Sequence, residues 1–337
     1  MNWQDTLSNA RGNMGFCKVC PVCDGRACKN TIPGPGAKGR GVTAMRNYNA
    51  WQDVYVNMDT IHANVPVDTS TTLFCQELAI PVLAGPVGAV KLHYGDKYTD
   101  TEYNDILVPG CAAAGIAALV GDGVNPEVIQ AGTDAIARCN GVGIPTVKPW
   151  DVDTIRQKMQ LAQDCGAFAI AMDVDAAGLP FLQNLQPPAG SKSVDELREI
   201  VNSTDKPFIV KGIMTPRAAA KAVEAGAAGI VVSNHGGRVV DGTPATAEVL
   251  PAIAREVGGE ITILVDGGIR TGLDVFKALA LGADGVIIAR PFVTAVYGGQ
   301  EEGIAALVAQ LKAELADVMR MTGANTIADI DGTFLWG

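Results

Sequence analysis

The sequence predicts a (β/α)8 TIM barrel with an N-terminal extension, and three observations carry that expectation. From residue 80 onward eight short apolar, β-branched runs recur, each closing on Gly, Pro, Asp or Asn and each followed by a helical stretch. The runs are continuous instead of alternating, as strands buried on both faces require. Eight strand–helix units over about 210 residues is the arithmetic of a TIM barrel. A doubly wound sheet is the rival, but it would want a Gly-rich fingerprint after its first strand, and GPVGA (85–89) does not fit G-x-G-x-x-G.

The runs are IPVLAGPV (80–87), AALVGDG (117–123), GIPTVKP (143–149), AFAIAMDVD (167–175), PFIVKG (207–212), GIVVSN (229–234), TILVDGG (262–268) and GVIIARP (285–291). Between them, MTPRAAAKAVEAG (214–226) and TGLDVFKALALG (271–282) read as amphipathic helices stopped at glycine, the usual C-cap. EEGIAALVAQLKAELADVMRMTG (301–323) reads as a long closing helix. Residues 80–337 form the barrel in this reading. Residues 1–79 form an extension packed on it, because no linker separates the two; a helix is expected at 43–56 and a polar entry segment at 66–74.

Composition narrows the function. The 337 residues are 48% apolar and 18% charged, a globular balance. A net charge of −10 disfavours nonspecific nucleic-acid binding while leaving room for a local basic pocket. The start lacks a basic region followed by an apolar one, and no apolar run reaches the roughly 18 residues of a membrane span. The chain therefore reads as cytoplasmic, with its eight cysteines mostly reduced. Cys75, Cys111, Cys139 and Cys165 sit among apolar residues and read as core thiols.

In a TIM barrel the chemistry lies at the C-terminal ends of the strands. SNHGGR (233–238) ends the sixth run. There His235 and Arg238 suit proton abstraction from a substrate whose carboxylate is gripped by a planar guanidinium. DGGIR (266–270) and ARP (289–291) end the last two runs, where such barrels commonly build a phosphate cup. Gly267 and Gly268 would allow close approach, Arg270 and Arg290 would supply charge, and Asp266 would bond a polyol chain. Lys211 could stabilise negative charge on a reduced flavin ring, and Asp173 could orient His235.

Together, KG before a TP helix start, SNHGGR, DGGIRTGLDVFKALALGA and RPF resemble the FMN-dependent 2-hydroxy-acid oxidases and dehydrogenases over about residues 66–323. The resemblance implies FMN as cofactor and a small 2-hydroxy acid as substrate. It implies His235 as base, Arg238 on the substrate carboxylate, Asp173 as the partner of His235 and Lys211 beside the flavin N1/C2-carbonyl edge. It also implies that the backbone of Ala84, Gly85 and Pro86 lies near flavin N5, Gly121 near the ring and Ser233 on the cofactor. Asp266 would hold the ribityl chain, and Gly267, Gly268, Arg270, Ala289 and Arg290 the phosphate. An electron acceptor, oxygen or a redox partner, and a homotetramer follow from the same resemblance. An isopentenyl-diphosphate-isomerase-like enzyme and a flavin or metal redox sensor are the alternatives. The chain departs from the family at the third strand, where Thr146 lies nearest the place of an expected Tyr. It departs again in DAAGLPFLQNL (175–185), which lacks an expected Arg.

Cys17, Cys20, Cys23 and Cys28 follow C-x2-C-x2-C-x4-C, close to a ferredoxin run. An iron–sulfur cluster, a zinc ion and structural thiols are the three readings of that spacing.

Overall fold

Each of the eight apolar runs contributes a short strand because nearly every residue in it has somewhere apolar to go on both sides. The computed structural model describes residues 1–180, 182 and 188–337. Two strands precede the barrel, β1 (Thr71–Leu73) and β2 (Gln76–Leu78). The barrel strands are β3 (Val82–Ala84), β4 (Ala117–Val120), β5 (Ile144–Val147), β6 (Ile170–Asp173), β7 (Phe208–Ile213), β8 (Gly229–Val232), β9 (Thr262–Val265) and β10 (Gly285–Ile288). They pair in parallel in chain order, and β10 closes on β3. One face of each strand lines the barrel interior with Leu83, Leu119, Ile144, Ala171, Ile209, Val231, Leu264 and Ile287. The other face meets the surrounding helices. Burying each large aliphatic side chain contributes about 1.5–3 kcal/mol.

The N-terminal mouth of the barrel is plugged by an element the sequence did not announce. The segment read as polar entry turns back through Phe74 and Cys75, both at positive φ, so that β1 and β2 pair antiparallel. Leu73 and Leu78 enter the interior cluster, and Phe74 packs against it. Gly229 is what admits the ring: a Cβ there would lie 2.6 Å from Phe74 Cζ. Strands of three residues around a left-handed pair leave too little alternation to read.

The expected helix over 43–56 runs only from Val42 to Gln52. Beyond the Asp53 cap the chain is extended, and Val56 bridges Leu335. This helix fastens the extension to the barrel top: Trp51 Nε1 donates to Gly267 O at 2.7 Å, and Asn47 exchanges side-chain amide bonds with buried Asn234. A first helix, Trp3–Ala10, lies on the closing helix so closely that a Cβ on Gly298 would strike Thr6 O. The closing helix runs over Arg290–Thr322 with a break at Gln300, where the expected span begins, and it ends at Gly323 in the left-handed conformation. No helix of the described residues is long and apolar enough to cross a membrane. Of the four cysteines read as core thiols, Cys111 and Cys165 are buried, Cys139 is half-buried, and Cys75 is exposed at the hairpin turn.

Candidate active site

The strand ends open into a cavity of about 430 Å3, within the range of small-molecule and cofactor pockets. Pro86, Gly121, Asp173, Lys211, His235, Arg238, Asp266, Gly267, Gly268, Arg270, Ala289 and Arg290 all line it. Ala84 ends β3 beneath the wall, and Gly85 N donates to Ile288 O. Ser233 is fully buried below the floor, where it accepts from Lys211 Nζ at 2.9 Å, donates to Asp266 Oδ2 at 2.9 Å and accepts from His235 N at 3.1 Å.

His235 leaves β8 in the left-handed region, φ 56°, followed by Gly236 and Gly237 at 63° and 78°. Such a conformation costs a non-glycine residue about 1–2 kcal/mol. Here the turn brings the imidazole over the floor, with Nδ1 3.1 Å from Asp175 Oδ1. The expected partner, Asp173, is not the one bonded to it. Asp173 ends β6, whereas Asp175 sits in the helical turn that follows it, Val174–Gly178, and a further difference arises next door. Register slips between Lys211 and Ile213 on β7, and Gly212 sits there at φ 108°. A Cβ on Gly212 would come within 2.6 Å of Asp175, so the glycine opens the space that Asp175 occupies. An acceptor-only carboxylate at Nδ1 calls for the proton on that nitrogen, which leaves Nε2 as the ring's acceptor. Burial raises the Asp175 pKa, but the charges of His235, Lys211 and Lys148 outweigh it and hold the group below the usual carboxylate range.

Asp173 instead binds Lys148 Nζ at 3.0 Å. Lys148 follows β5 on the same face as Thr146 and lines the cavity. Its backbone N–H donates to Asp122 Oδ2, which also accepts from Trp150 Nε1 at 2.6 Å, while the other Asp122 oxygen is ion-paired with Lys158. Asp122 thus anchors the strand end that carries Lys148. Lys211 is raised: burial lowers it, but Asp266, Asp175 and Asp173 more than compensate.

Arg238 donates from Nη1 to the carbonyls of Gly34 and Gly36, at 2.7 and 2.9 Å. The Nε–Nη2 edge is thereby left as the fork able to take a carboxylate. Gly34 N donates to His93 Nδ1 at 3.0 Å. Burial, then Arg238, Lys148 and His235, push the His93 pKa down to about 3, so this ring is neutral.

At the opposite end, Arg270 donates from Nε to Cys23 O at 2.9 Å and from Nη1 to Ile269 O. Arg290, half-buried beside Cys23, Cys28 and Tyr94, makes no side-chain hydrogen bond among the described residues. Its open guanidinium donors face the cavity, where an anion such as a phosphate would satisfy them. Asp266 Oδ1, Asp173 Oδ1 and Thr146 Oγ1 are also buried and unpartnered. This pattern of open donors and acceptors fits a polar, phosphate-bearing ligand such as FMN. The φ values of Gly267 and Gly268 are 92° and 85°, but the space a Cβ would need at either is taken by Asn47. These glycines admit the extension helix as well as the turn.

The four N-terminal cysteines lie near enough to feel one another's charge, but no three of their sulfurs are close enough to share a single metal ion. Among the described residues the one group of three or more side chains able to share a metal ion is Asp173, Asp175 and His235. The cysteine segment instead wraps the arginine end, where Arg290 and Arg270 outweigh burial and lower the Cys23 pKa, while burial pushes the Cys17 thiol up to about 11.

Sequence reasoning passed over Asp175 as the histidine's partner and missed Lys148 and His93 altogether. For Lys148 a signal existed, since positions 146 and 148 share a face of the third strand. For His93, in the LHY stretch after the first strand, there was none. Of DAAGLPFLQNL (175–185), residues 181 and 183–185 lie outside the described residues; Leu179 and Leu182 line the cavity.

A family model described as FMN-dependent dehydrogenase matches residues 34–184 and 181–337. L-lactate dehydrogenase of Serratia proteamaculans (strain 568) is 47% identical over 152 residues, 45% of this chain and 39% of the relative. L-lactate dehydrogenase of Yersinia pestis (strain Pestoides F) is 49% identical over 148 residues, 44% of this chain and 38% of the relative. The matched segment thus spans about two fifths of these relatives. Among solved structures, a mandelate oxidase variant with 2-hydroxy-phenylacetamide superposes with a TM-score of 0.78 at 26% identity, covering 97% of this chain and 96% of that one. A flavocytochrome b2 variant with pyruvate bound gives a TM-score of 0.77 over 89% of this chain and 80% of that one; at 24% identity it speaks to the fold alone.

Proposed function

Because the chain belongs to the FMN-dependent dehydrogenase family, we propose that it oxidises a small 2-hydroxy acid to the 2-oxo acid, with His235 as base and Arg238 holding the carboxylate. The observation that carries this reading is the His235–Asp175 couple, which faces the cavity beside the open edge of Arg238. FMN, when bound, supplies the two-electron acceptor; Arg270 and Arg290 would hold its phosphate and Asp266 its polyol chain.

The chain's own residues do the rest. Arg238 orients the acid through its Nε–Nη2 edge, since Nη1 is committed to the loop carbonyls. His235 Nε2 takes a proton from the substrate, and Asp175 stabilises the imidazolium that results. Lys211, kept protonated by Asp266, Asp175 and Asp173, places fixed positive charge where the cofactor gains electron density. The Gly34–Gly36 loop, tied down by Arg238 and His93, covers the substrate side and limits water.

The test is His235→Ala. The purified variant keeps its bound flavin and loses about 10²–10⁴-fold in kcat/KM, the range of a general base. Unchanged turnover would remove His235 from the mechanism.

A further inference from the structure

Three consecutive barrel strands present three charged side chains to the cavity in alternating sense. Lys148 follows β5, Asp173 ends β6, and Lys211 lies on β7. Asp173 and Lys211 are register partners, and Lys148 comes one residue past the Val147–Met172 pair. All three are buried, at 8%, 3% and 3% exposure. Lys148 Nζ holds Asp173 Oδ2, Lys211 Nζ is held by Ser233 and Asp266, and Asp173 Oδ1 is buried with no hydrogen-bond partner among the described residues. Read across the wall, the order is donor, acceptor, donor.

The pyrimidine edge of an oxidised flavin is the complement: an acceptor at the N1/C2-carbonyl corner, a donor at N3–H and an acceptor at the C4 carbonyl. Arg270 and Arg290 lie at the opposite end of the cavity, where a phosphate would take them, which directs the ring toward this wall. With Lys211 on the C2 side, we infer that Asp173 Oδ1 accepts from flavin N3–H and that Lys148 donates to the C4 carbonyl. The pair then has a role separate from the His235–Asp175 couple. An unpaired buried carboxylate oxygen is costly, and the flavin imide satisfies it. The Lys148 ammonium offsets the Asp173 charge beside the ring and keeps the reduced cofactor favourable. This inference rests on FMN binding and not on the hydroxy-acid assignment.

The experiment uses flavin alone. Apoprotein is reconstituted with FMN or with 3-methyl-FMN, which lacks the N3 donor, and affinity is read from flavin fluorescence. Wild type is expected to bind 3-methyl-FMN roughly 10- to 100-fold more weakly, the loss of one bond to a charged group. In Asp173→Ala the two flavins should bind within about threefold of each other. Equal affinity of wild type for both, a result that needs no variant to fold, would overturn the assignment of Asp173; so would discrimination that persists in Asp173→Ala. For Lys148, dye-equilibration titration of the bound flavin is expected to give a more negative midpoint in Lys148→Met, with Lys148→Arg returning most of the shift. An unchanged midpoint would take Lys148 off the C4 carbonyl. No hydroxy acid enters either measurement, so a failed substrate assignment leaves both readouts standing.

Discussion

The two ends of the cavity are charged in opposite styles. At the end lined by Arg270 and Arg290, positive charge is left open: among the described residues Arg290 makes no side-chain hydrogen bond, and Arg270 donates to backbone carbonyls and a cysteine sulfur. At the His235 end, Arg238 apart, the charges are paired within the protein: His235 with Asp175, Lys148 with Asp173, Lys211 with Asp266. Open charge binds; paired charge is held in place for a task, because fixed dipoles and ions act on a developing charge without reorganising. On the proposed reading, the difference separates a site for retaining a ligand from a site for reacting with it.

Breaking the paired end at its foundation should have the largest effect. Asp122→Asn leaves Lys158 without a counter-charge, and removing one member of a buried pair costs about 3–5 kcal/mol. Urea unfolding should register that loss, whereas a midpoint within error of wild type would show that Asp122 is not structural. Next, Asp175→Asn should lower kcat by about 1.5–3 kcal/mol, roughly 10- to 150-fold, with flavin affinity nearly unchanged. If Asp173→Asn reproduces the kcat loss and Asp175→Asn does not, the pairing assigned to the histidine is wrong. At the open end, Arg290→Met should weaken FMN by a comparable 1.5–3 kcal/mol while leaving riboflavin, which lacks the phosphate, almost unaffected. Equal losses for both flavins would take the phosphate away from Arg290.

The last prediction concerns acid. His93 has a pKa of about 3 in the fold, set by burial and then by Arg238, Lys148 and His235, against about 6.5 unfolded. Between those values the unfolded chain binds more protons, so stability falls as pH drops from about 6.5 toward about 3, by up to about 1.4 kcal/mol per pH unit. His93→Gln should flatten that slope in urea titrations at pH 6.5 and pH 5. A slope identical to wild type would mean that the ring is not held neutral.

The barrel was legible because a parallel strand buried on both faces leaves a continuous apolar run; seven runs contain a barrel strand whole, and β7 extends one residue past the fifth run. The open end was legible too, since glycines and arginines after the last two strands lie close together in sequence. What escaped depends on contacts distant in sequence. Asp173 and Asp175 look alike in the motif, and only the bulge at Gly212, on the neighbouring strand, decides which one reaches His235. Lys148 gains meaning only beside Asp173, and the β1–β2 plug only beside Gly229. The cysteine spacing was a strong local signal, and the fold lays that segment along the arginines, where Arg270 donates to the Cys23 carbonyl.

The most direct measurement is an anaerobic absorbance titration of the flavin-loaded protein with a panel of 2-hydroxy acids. Flavin bands that bleach with at least one acid, yielding its 2-oxo acid, are the expected result. Bands that stay oxidised with every acid, in protein that retains its flavin, would contradict the assignment of a 2-hydroxy-acid oxidation to this site.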